Sequence, residues 1–461
     1  MKYENSINIT SDAIYNEPKT GNPFLDAMPS LLSKTELLNK IASYPKLPYN
    51  FTEESPENRR RLILETNKLF IPMDYMYYLY DLLYRAIITN YTSKSMVDSI
   101  KQINTLYRNL NNPEIIPEYS TQSYSGAILG TPGVGKTSTI KRCLNLLPQV
   151  IIHNNYDNKP FYCKQITYLF VECPNDCSVK TLAYNIILSI DQAIGSEYFN
   201  EVIKNRSLSA SALAMKAKIT CMNHRVGLIV IDEIQNAVTT ALKNKQTKPL
   251  IKFLVELTNE TCVSICFCGT LMADELFEEQ EHLRRRTRGV RLLPMDHDIN
   301  YRRFVEILWS YQVTLHKTEL KDKLINRLYD YSGGNPSYII KIFQESQIQA
   351  ILSGREVLDE SVLKRAMEIQ NIEIPKIYKK GNSISSFNYD TVDMSNSQIN
   401  DQIKTESVQK ASAVVTIRKR GRKSVEREAL DLIEMLKKST SSAELINTLD
   451  KNNILEIVKG A

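Results

Sequence analysis

A short glycine-rich run carries the residue types that hold a phosphate chain. It reads Gly130-Thr131-Pro132-Gly133-Val134-Gly135-Lys136-Thr137 and is followed by Ser138. The spacing of its outer glycines, its lysine and its hydroxyl fits the phosphate-binding loop pattern. Only glycine lets a backbone wrap that closely around a ligand. Lys136 is expected to reach the outer phosphates of a nucleotide, and Thr137 to bind Mg²⁺. The alternative is a chance glycine turn.

An apolar run that ends in two acids supplies a second motif. Residues 228–231 read Leu-Ile-Val-Ile and precede Asp232 and Glu233. Such a run predicts a central parallel strand that is buried on both faces. At its C-terminal end, Asp232 is expected to hold Mg²⁺ and Glu233 to orient and polarise an attacking water. A strand that merely ends in an acidic turn is the alternative, and the nearby phosphate loop argues against it.

The elements that must position these motifs alternate between strands and helices from about residue 120 to residue 295. Strands are predicted at 127–129, 150–153, 166–171, 228–231 and 263–268. A helix is predicted at 178–194, because its apolar residues recur on one face and Ser178 can cap it. This alternation favours a parallel sheet covered by helices.

A group of helices follows the predicted sheet. Apolar periodicity predicts helices at 299–312, 319–332, 336–353 and 360–369. The break Gly333-Gly334-Asn335-Pro336 combines a helix stop with a proline start. On the N-terminal side, the tyrosine-rich segment 74–90 predicts a helix that belongs to the core. The sequence therefore predicts an α/β nucleotide-binding domain with a small helical lid.

Composition limits the classes of protein to consider. The chain has 461 residues, 43% of them hydrophobic, and a formal charge of +6. Its size suggests two to three domains. The polar N-terminus has no signal-peptide core, and no apolar run reaches membrane-spanning length. Eight scattered cysteines are interpreted as reduced thiols of a cytoplasmic protein. A zinc site at Cys173 and Cys177 is the alternative, but no second pair has the required spacing.

The order of a parallel-sheet nucleotide domain and a helical lid resembles the AAA+ ATPases. That resemblance implies further site residues. Thr270, at the tip of the strand beside Asp232, is expected to sense the outer phosphate, although a turn threonine is an equal alternative. Arg285 or Arg286 is expected to reach into a neighbouring subunit's site, unless the cluster is a solvated or DNA-contacting face. Ser337 stands where the lid of this family often has an arginine, which suggests weak sensing of ATP and slow turnover.

Several motifs also resemble TnsC and the related TniB proteins, the AAA+ regulators of heteromeric transposons. The resemblance spans about residues 20 to 375 and rests on the motifs that follow. They are Asn22-Pro23-Phe24-Leu25-Asp26-Ala27-Met28-Pro29, Phe70-Ile71-Pro72 with the helix after it, Ile231-Asp232-Glu233-Ile234-Gln235-Asn236, Cys268-Gly269-Thr270, the arginine cluster before Pro294, and Gly333-Gly334-Asn335-Pro336 leading into Tyr338-Ile339-Ile340.

This resemblance implies an ATPase that selects targets for DNA transposition. ATP-bound subunits are expected to assemble as a ring or filament on double-stranded DNA, to be nucleated by a target-site selector through the N-terminal region, and to activate the transposase. Hydrolysis is expected to limit or disassemble the assembly. The candidate DNA contacts are Lys204, Arg206, Lys216 and Lys218, with weaker candidates at Thr239, Thr240, Lys243 and Lys245. Each alone is also compatible with an ordinary surface residue. The implied location is the bacterial cytoplasm, associated with the nucleoid and not with a membrane.

The predicted organisation has five parts. Residues 1–115 form an N-terminal extension, 116–298 the AAA+ domain, 299–376 the helical lid and 377–415 a flexible polar linker. Residues 416–461 form a tail with a basic run, Arg418-Lys419-Arg420-Gly421-Arg422-Lys423, and two amphipathic helices. That tail is expected to bind the transposase.

Other classes of ATPase remain open. A STAND-type signalling ATPase is the first alternative, and a replication or helicase-loading AAA+ ATPase is the second. A scaffold with an inactive site is disfavoured by the presence of Lys136, Asp232 and Glu233. No acidic cluster typical of a nuclease is evident, so the chain is not expected to cut DNA.

Overall fold

The computed structural model of the protein describes residues 9–92, 124–204, 208–237, 247–274 and 289–374. The chain divides into two compact units, residues 1–387 and 388–461, and every described residue lies in the first. The predicted linker, basic run and tail helices therefore lie outside the described residues.

The strands, in chain order, are β1 (Thr10–Asp12), β2 (Ser125–Gly130), β3 (Val150–Tyr156), β4 (Lys159–Ile166), β5 (Tyr168–Glu172), β6 (Leu228–Asp232), β7 (Ser264–Gly269) and β8 (Val290–Leu292). The α-helices are α1 (Pro23–Asp26), α2 (Lys34–Ile41), α3 (Pro56–Leu62), α4 (Tyr75–Thr92), α5 (Lys136–Leu144), α6 (Val179–Ile194), α7 (Tyr198–Lys204), α8 (Ala210–Asn223), α9 (Thr247–Thr261), α10 (Ile299–Trp309), α11 (Asp322–Ser332), α12 (Pro336–Leu352) and α13 (Glu360–Ile369). Short 3₁₀ turns occupy Phe51–Glu53 and Ile63–Lys68.

A five-stranded sheet forms the centre of the domain. Its strand order is β5-β6-β7-β2-β8, and all its neighbouring strands are parallel. Every residue of β6 is buried. Ile229 and Ile231 face one apolar cluster, with α6, α8 and α9, whereas Leu228 and Val230 face the other, with α4 and α5. The predicted parallel sheet covered by helices is therefore confirmed.

The strand predicted at 150–153 belongs to a different sheet from the one expected. It is part of β3, which pairs with β1 in parallel and with β4 in antiparallel orientation. Sequence reasoning missed β4 as a strand. The two residues between β3 and β4 are Asp157 and Asn158, with φ of 50° and 59°. Asp and Asn tolerate this left-handed backbone, which makes a tight hairpin turn. Strand pairing, rather than the predicted alternation, placed this segment outside the main sheet.

The lid helices agree closely with the sequence predictions. The helices α10 to α13 begin at or within three residues of their predicted starts. Gly333 ends α11 in a left-handed conformation, and Asn335 caps α12 with Pro336 in its first turn. The helix predicted at 178–194 is also confirmed, since α6 spans Val179–Ile194. Ser178 caps it as predicted, because its side chain accepts a hydrogen bond from the backbone N–H of Thr181.

The N-terminal segment packs against both the α/β domain and the lid. Helices α1, α2 and α4 contribute to the apolar cluster under the main sheet. By contrast, Ile63 packs with Val313 and Ile351 of the lid, and Leu69 and Ile71 join the lid's main cluster. The segment therefore connects the two parts that surround the phosphate loop.

A buried ion pair anchors this segment to the lid. Arg59 of α3 donates two hydrogen bonds to Glu356, at 2.8 and 2.6 Å, and a third to the carbonyl of Val313 at 3.2 Å. The side chains of Arg59 and Glu356 are only 2% and 8% exposed. Glu356 also accepts a hydrogen bond from the backbone of Leu315. Each oxygen of this carboxylate thus has a donor.

Candidate nucleotide site

The glycine-rich run turns between β2 and α5, and the strand predicted at 127–129 is part of β2. Gly133 and Gly135 have φ of +84° and +92°. L-residues rarely adopt this region, so the turn depends on glycine. No side chain among the described residues caps the N-terminus of α5. Its first N–H groups and its dipole therefore suit a negatively charged phosphate.

The ammonium of Lys136 lies inside the loop. Its Nζ atom donates hydrogen bonds to the carbonyl oxygens of Gly130 and Thr131, both at 2.9 Å. Burial lowers the pKa of Lys136, while Cys268, Asp232 and Glu233 act in the opposite direction. A phosphate that enters the loop would offer this partly desolvated cation an anionic partner.

Thr137 and Asp232 meet at the junction of α5 and β6. The Thr137 hydroxyl donates a hydrogen bond of 3.0 Å to Oδ2 of Asp232. Asp232 is 8% exposed. A hydroxyl and a carboxylate oxygen are hard ligands of the kind that Mg²⁺ prefers when it also binds phosphate oxygens. The residues present therefore fit Mg²⁺.

Glu233 lies one residue beyond the end of β6 and is exposed. Its backbone N–H donates to Oδ1 of Asp232 at 3.0 Å, and its φ of 55° is unusual for a non-glycine residue. This backbone conformation places the side chains of Asp232 and Glu233 in different environments. Asp232 is buried against Thr137, and Glu233 is open to solvent.

Sequence reasoning assigned no role to Gln235, which connects Glu233 to the tip of β7. The side-chain amide of Gln235 donates a hydrogen bond to the Glu233 carboxylate. Its carbonyl oxygen accepts a hydrogen bond of 3.0 Å from the backbone N–H of Thr270. The only signal in the sequence was its position two residues after Glu233. Gln235 therefore orients the candidate catalytic carboxylate relative to the candidate sensor.

We expect the Gln235→Ala variant to lower kcat for ATP hydrolysis about tenfold, because Glu233 loses an orienting partner. The KM for ATP should stay within about twofold, since Gln235 is not in the phosphate loop. Steady-state phosphate release would measure both constants. Asn236→Ala is the matched control, because Asn236 bonds to the carbonyl of Cys173 instead. An unchanged kcat, or an effect confined to KM, would show that Gln235 does not position Glu233.

Two hydroxyl groups of the candidate site lack partners within the described part of the chain. They are Oγ1 of Thr131 and Oγ1 of Thr270, and both atoms are buried. A buried polar atom without a hydrogen bond is costly unless a ligand or water supplies one. Both residues lie in segments that sequence reasoning assigned to phosphate binding or sensing, so their unpaired hydroxyls fit a phosphate-bearing ligand.

The lid contacts the phosphate loop directly. Asn335 donates a side-chain hydrogen bond of 2.8 Å to the carbonyl of Pro132, and the backbone N–H of Ser337 donates to the carbonyl of Gly133 at 3.3 Å. A Cβ atom at Gly133 would lie 2.9 Å from Cβ of Ser337. Ser337 therefore lies against the phosphate loop. It places a neutral side chain at the lid position for which the resemblance to AAA+ ATPases would suggest an arginine.

The N-terminal segment reaches the loop from another side. The Tyr75 hydroxyl lies 3.5 Å from the carbonyl oxygen of Val134, and burial raises the pKa of Tyr75 to about 12. Arg142 of α5 donates to the carbonyl of Ile41 at 3.0 Å and lies 4.3 Å from the ring centre of Phe70. The N-terminal end of α4, at Tyr75, is thus close to the candidate nucleotide site.

Several predicted residues are not brought to this site by the described structure. Arg285, Arg286 and Arg206 lie outside the described residues, as do Thr239, Thr240, Lys243 and Lys245. Lys204 is exposed at the end of α7, and Lys216 is partly exposed on α8.

The placement of Lys218 disagrees with the expectation that it contacts DNA. Its side chain is 5% exposed and pairs with Glu256 at 3.0 Å and with Glu260 at 3.1 Å. Burial of an ammonium requires such partners. Lys218 joins α8 to α9 inside the domain, so it offers no free ammonium to a DNA phosphate in this conformation.

Comparison with known families supports the fold. Residues 120–277 match the family model described as an AAA domain. A search of curated protein sequences found no match. The matched region contains the phosphate loop, Asp232, Glu233 and Thr270. Together with the strand order and the helices on both faces of the sheet, this match establishes the AAA+ P-loop ATPase fold.

Several solved structures are distantly similar to this chain. The ORC2 protein of Aeropyrum pernix is 15% identical, with 61% of this chain and 69% of that chain covered and a TM-score of 0.35. The ORC1 protein of the same organism, in complex with DNA, is 13% identical over 57% and 69%, with a TM-score of 0.37. Drosophila ORC bound to DNA is 12% identical over 74% and 75%, with a TM-score of 0.37.

Proposed function

We propose that this protein is an ATP-dependent regulator of DNA transposition of the TnsC/TniB type, with ATP and Mg²⁺ bound at the site described above. Its ATP-bound subunits oligomerise on double-stranded target DNA, link a target-site selector to the transposase and activate insertion. Hydrolysis of ATP controls disassembly. The observation that carries the ATPase part is the hydrogen bond of 3.0 Å between Thr137 and Asp232, with Glu233 exposed one residue away.

The site residues divide the chemistry among them. Lys136 and the N-terminus of α5 hold the phosphates, and Thr137 and Asp232 hold Mg²⁺. The ion neutralises charge on the phosphate oxygens when it is bound. Glu233 accepts a proton from the attacking water, and Gln235 keeps the carboxylate oriented. Thr270 supplies a buried hydroxyl near the outer phosphate, and Arg285 or Arg286 of a neighbouring subunit completes the site.

The transposition part rests on the N-terminal motif as well as on the ATPase motifs. Asn22 caps α1 through the backbone of Phe24 and Leu25, and it also donates a hydrogen bond of 2.7 Å to the carbonyl of Tyr91. Asp26 is buried and accepts hydrogen bonds from Thr20 and from the Tyr156 hydroxyl, both at 2.6 Å. The motif quoted for the resemblance is thus built into the domain, which supports treating it as part of the functional unit.

The partners follow from the same proposal. The N-terminal region contacts the target-site selector, and residues 416–461 bind the transposase. The protein acts in the bacterial cytoplasm in association with the nucleoid. Among the described residues, no helix has the length and hydropathy that crossing a membrane requires.

The test is ATP hydrolysis with and without double-stranded DNA, alongside electron microscopy with a non-hydrolysable ATP analogue. Stimulation by DNA together with rings or filaments on the duplex is the expected result. Hydrolysis without any effect of DNA, and without assembly, would favour a signalling ATPase instead. Binding of a transposase to residues 376–461 would separate transposition from helicase loading.

We expect that replacing Lys204 and Lys216 by alanine weakens DNA binding and lowers the slope of log K against log salt by about one unit for each phosphate that is no longer neutralised. Lys204 is exposed and Lys216 is partly exposed, whereas Lys218 is buried. Fluorescence anisotropy over a salt series would measure the slope. Lys364→Ala on the lid is the control, because Lys364 is exposed and 4.0 Å from Glu368. Equal slopes for the unchanged protein, the Lys204/Lys216 variant and the Lys364→Ala control would show that Lys204 and Lys216 do not contact DNA.

A further inference from the structure

A small pocket lies beside the N-terminal ends of β6 and β7, at the end of the main sheet opposite to the phosphate loop. Its cavity volume is about 30 Å³, and its lining includes Asn22, Phe24, Tyr91, Arg225 and Thr261. Val226 and Cys262 also line it, and they come just before β6 and β7, whose opposite ends carry Asp232 and Gly269. A strand of five or six residues is about 17–20 Å long, so this pocket is separate from the nucleotide site.

Among the described residues that line this pocket, Arg225 is the only one with a cationic side chain. Its guanidinium lies 5.2 Å from the ring centre of Phe24. Burial lowers the pKa of Arg225, with Cys163 and Tyr91 acting in the opposite direction. Within the described ranges, no oxygen atom accepts a hydrogen bond from this guanidinium, and no carboxylate is paired with it.

Arg225 is half-buried and has no anionic partner among the described residues. A guanidinium has five N–H donors, and a cation that is partly removed from water is stabilised by a paired anion and by hydrogen bonds. The contact with the Phe24 ring supplies only part of that stabilisation. The backbone of Arg225 is also in the left-handed region, with φ of 48°, which an arginine rarely adopts. The fold therefore maintains a cation with unused donors at a cavity.

We propose that the Arg225 pocket is a binding site for a carboxylate group. The volume of about 30 Å³ has room for roughly two water-sized atoms, as the two oxygens of a carboxylate require. A planar carboxylate can accept two parallel hydrogen bonds from a guanidinium. The hydroxyl of Thr261 donates to the carbonyl of Leu257, so Arg225 is the principal donor. The proposal does not depend on ATP hydrolysis.

The carboxylate has two possible sources, a free small acid or an acidic side chain of a partner protein. Phe24 belongs to the N-terminal motif, whereas Arg225 precedes the strand that ends at Asp232. A bound carboxylate would therefore contact both the N-terminal segment and the ATPase core. The two sources share the same chemistry at Arg225, and two probes separate them.

The first experiment uses the full chain without nucleotide and compares thermal unfolding in sodium acetate and in sodium chloride at equal ionic strength. A Tm about 2 °C higher at saturating acetate is expected. Arg225→Gln should abolish this difference, and Arg225→Lys should abolish most of it because lysine lacks the planar donor pair. Arg355→Gln is the matched control, since Arg355 is exposed and pairs with Asp359 on the lid, and it should respond like the natural protein.

The second experiment measures anisotropy of a labelled, capped peptide that contains one glutamate, against the same peptide with glutamine. Glutamate-dependent binding at least about tenfold tighter than acetate, and absent in Arg225→Gln, would assign the site to a partner protein. Binding no tighter than acetate would assign it to a small acid. No response of the natural protein to acetate or to the peptide would overturn the proposal, as would an acetate effect that persists in Arg225→Gln.

Discussion

Replacement of Glu233 by glutamine is expected to reduce ATP hydrolysis by a factor of at least about 100, the usual contribution of a general base. Glutamine keeps the shape of the side chain and can still bond to Gln235, but it cannot accept a proton from water. Nucleotide binding should persist, because Lys136, Thr137 and Asp232 are unchanged. Single-turnover phosphate release and equilibrium binding of a fluorescent ATP analogue would measure the two properties separately.

The same variant tests the proposed coupling between hydrolysis and disassembly. Assemblies formed with ATP on double-stranded DNA should persist in Glu233→Gln and disperse in the natural protein. Glu368→Gln is the control, because Glu368 is an exposed residue of the lid helix α13. Hydrolysis by Glu233→Gln within about threefold of the natural rate would assign the general base to another residue, since a reduction that small is below the range for such a group.

Removal of one partner of the Arg59–Glu356 pair is expected to destabilise the protein by about 3–5 kcal/mol, since it leaves a buried charge unpaired. Arg59→Met and Glu356→Leu should each have this effect in urea unfolding. The double variant should be more stable than either single variant because no buried charge is left unpaired, but the Leu315 N–H and the Val313 carbonyl lose these partners, so recovery should be partial. Arg355→Ala is the matched control, because its pair with Asp359 is exposed and should contribute less than about 1 kcal/mol. Equal effects at the two pairs would contradict a buried ionic anchor.

The pair should also make stability depend on pH. Hydrogen bonds from Arg59 and from the Leu315 backbone lower the pKa of Glu356 below its ordinary value of 4.5, although desolvation opposes them. A lowered pKa in the folded state means that the contribution is complete above the ordinary value and is lost as the pH falls through the lowered one. The free energy of unfolding should therefore drop more steeply below about pH 4.5 in the natural protein than in the Arg59→Met/Glu356→Leu variant. Parallel curves for the two proteins would contradict this assignment.

Local sequence patterns were sufficient to identify the phosphate loop and the two acids at the end of β6, Asp232 and Glu233. Both depend on residues that are close together in sequence, and the preceding strand was predicted at 127–129, within β2. The helices α10 to α13 and the capping role of Ser178 were predictable for the same reason. The sheet order and the AAA domain match then confirmed the fold, whereas the predicted domain boundaries and DNA contacts stay predictions.

Features that depend on distant pairing escaped sequence reasoning. The β3–β4 hairpin gives a weak sequence pattern, because β4 is an edge strand of mixed polarity, and it lies with β1 in a separate three-stranded sheet. The sequence predicts an accessible Lys218, because its partners Glu256 and Glu260 lie 38 and 42 residues away along the chain. Nothing local in the sequence indicates that its helix face is covered.

Neighbouring residues are enough to specify the phosphate loop, the parallel α/β sheet and the helical lid, because glycine spacing and apolar period act over a few residues. The contacts of Ser337 with Gly133, of Gln235 with Glu233 and Thr270, and of Arg59 with Glu356 across 297 positions appear only in the folded chain. Those contacts depend on which surfaces meet after folding. Burial then sets the energy of each ion pair and hydrogen bond. No local sequence pattern encodes that burial.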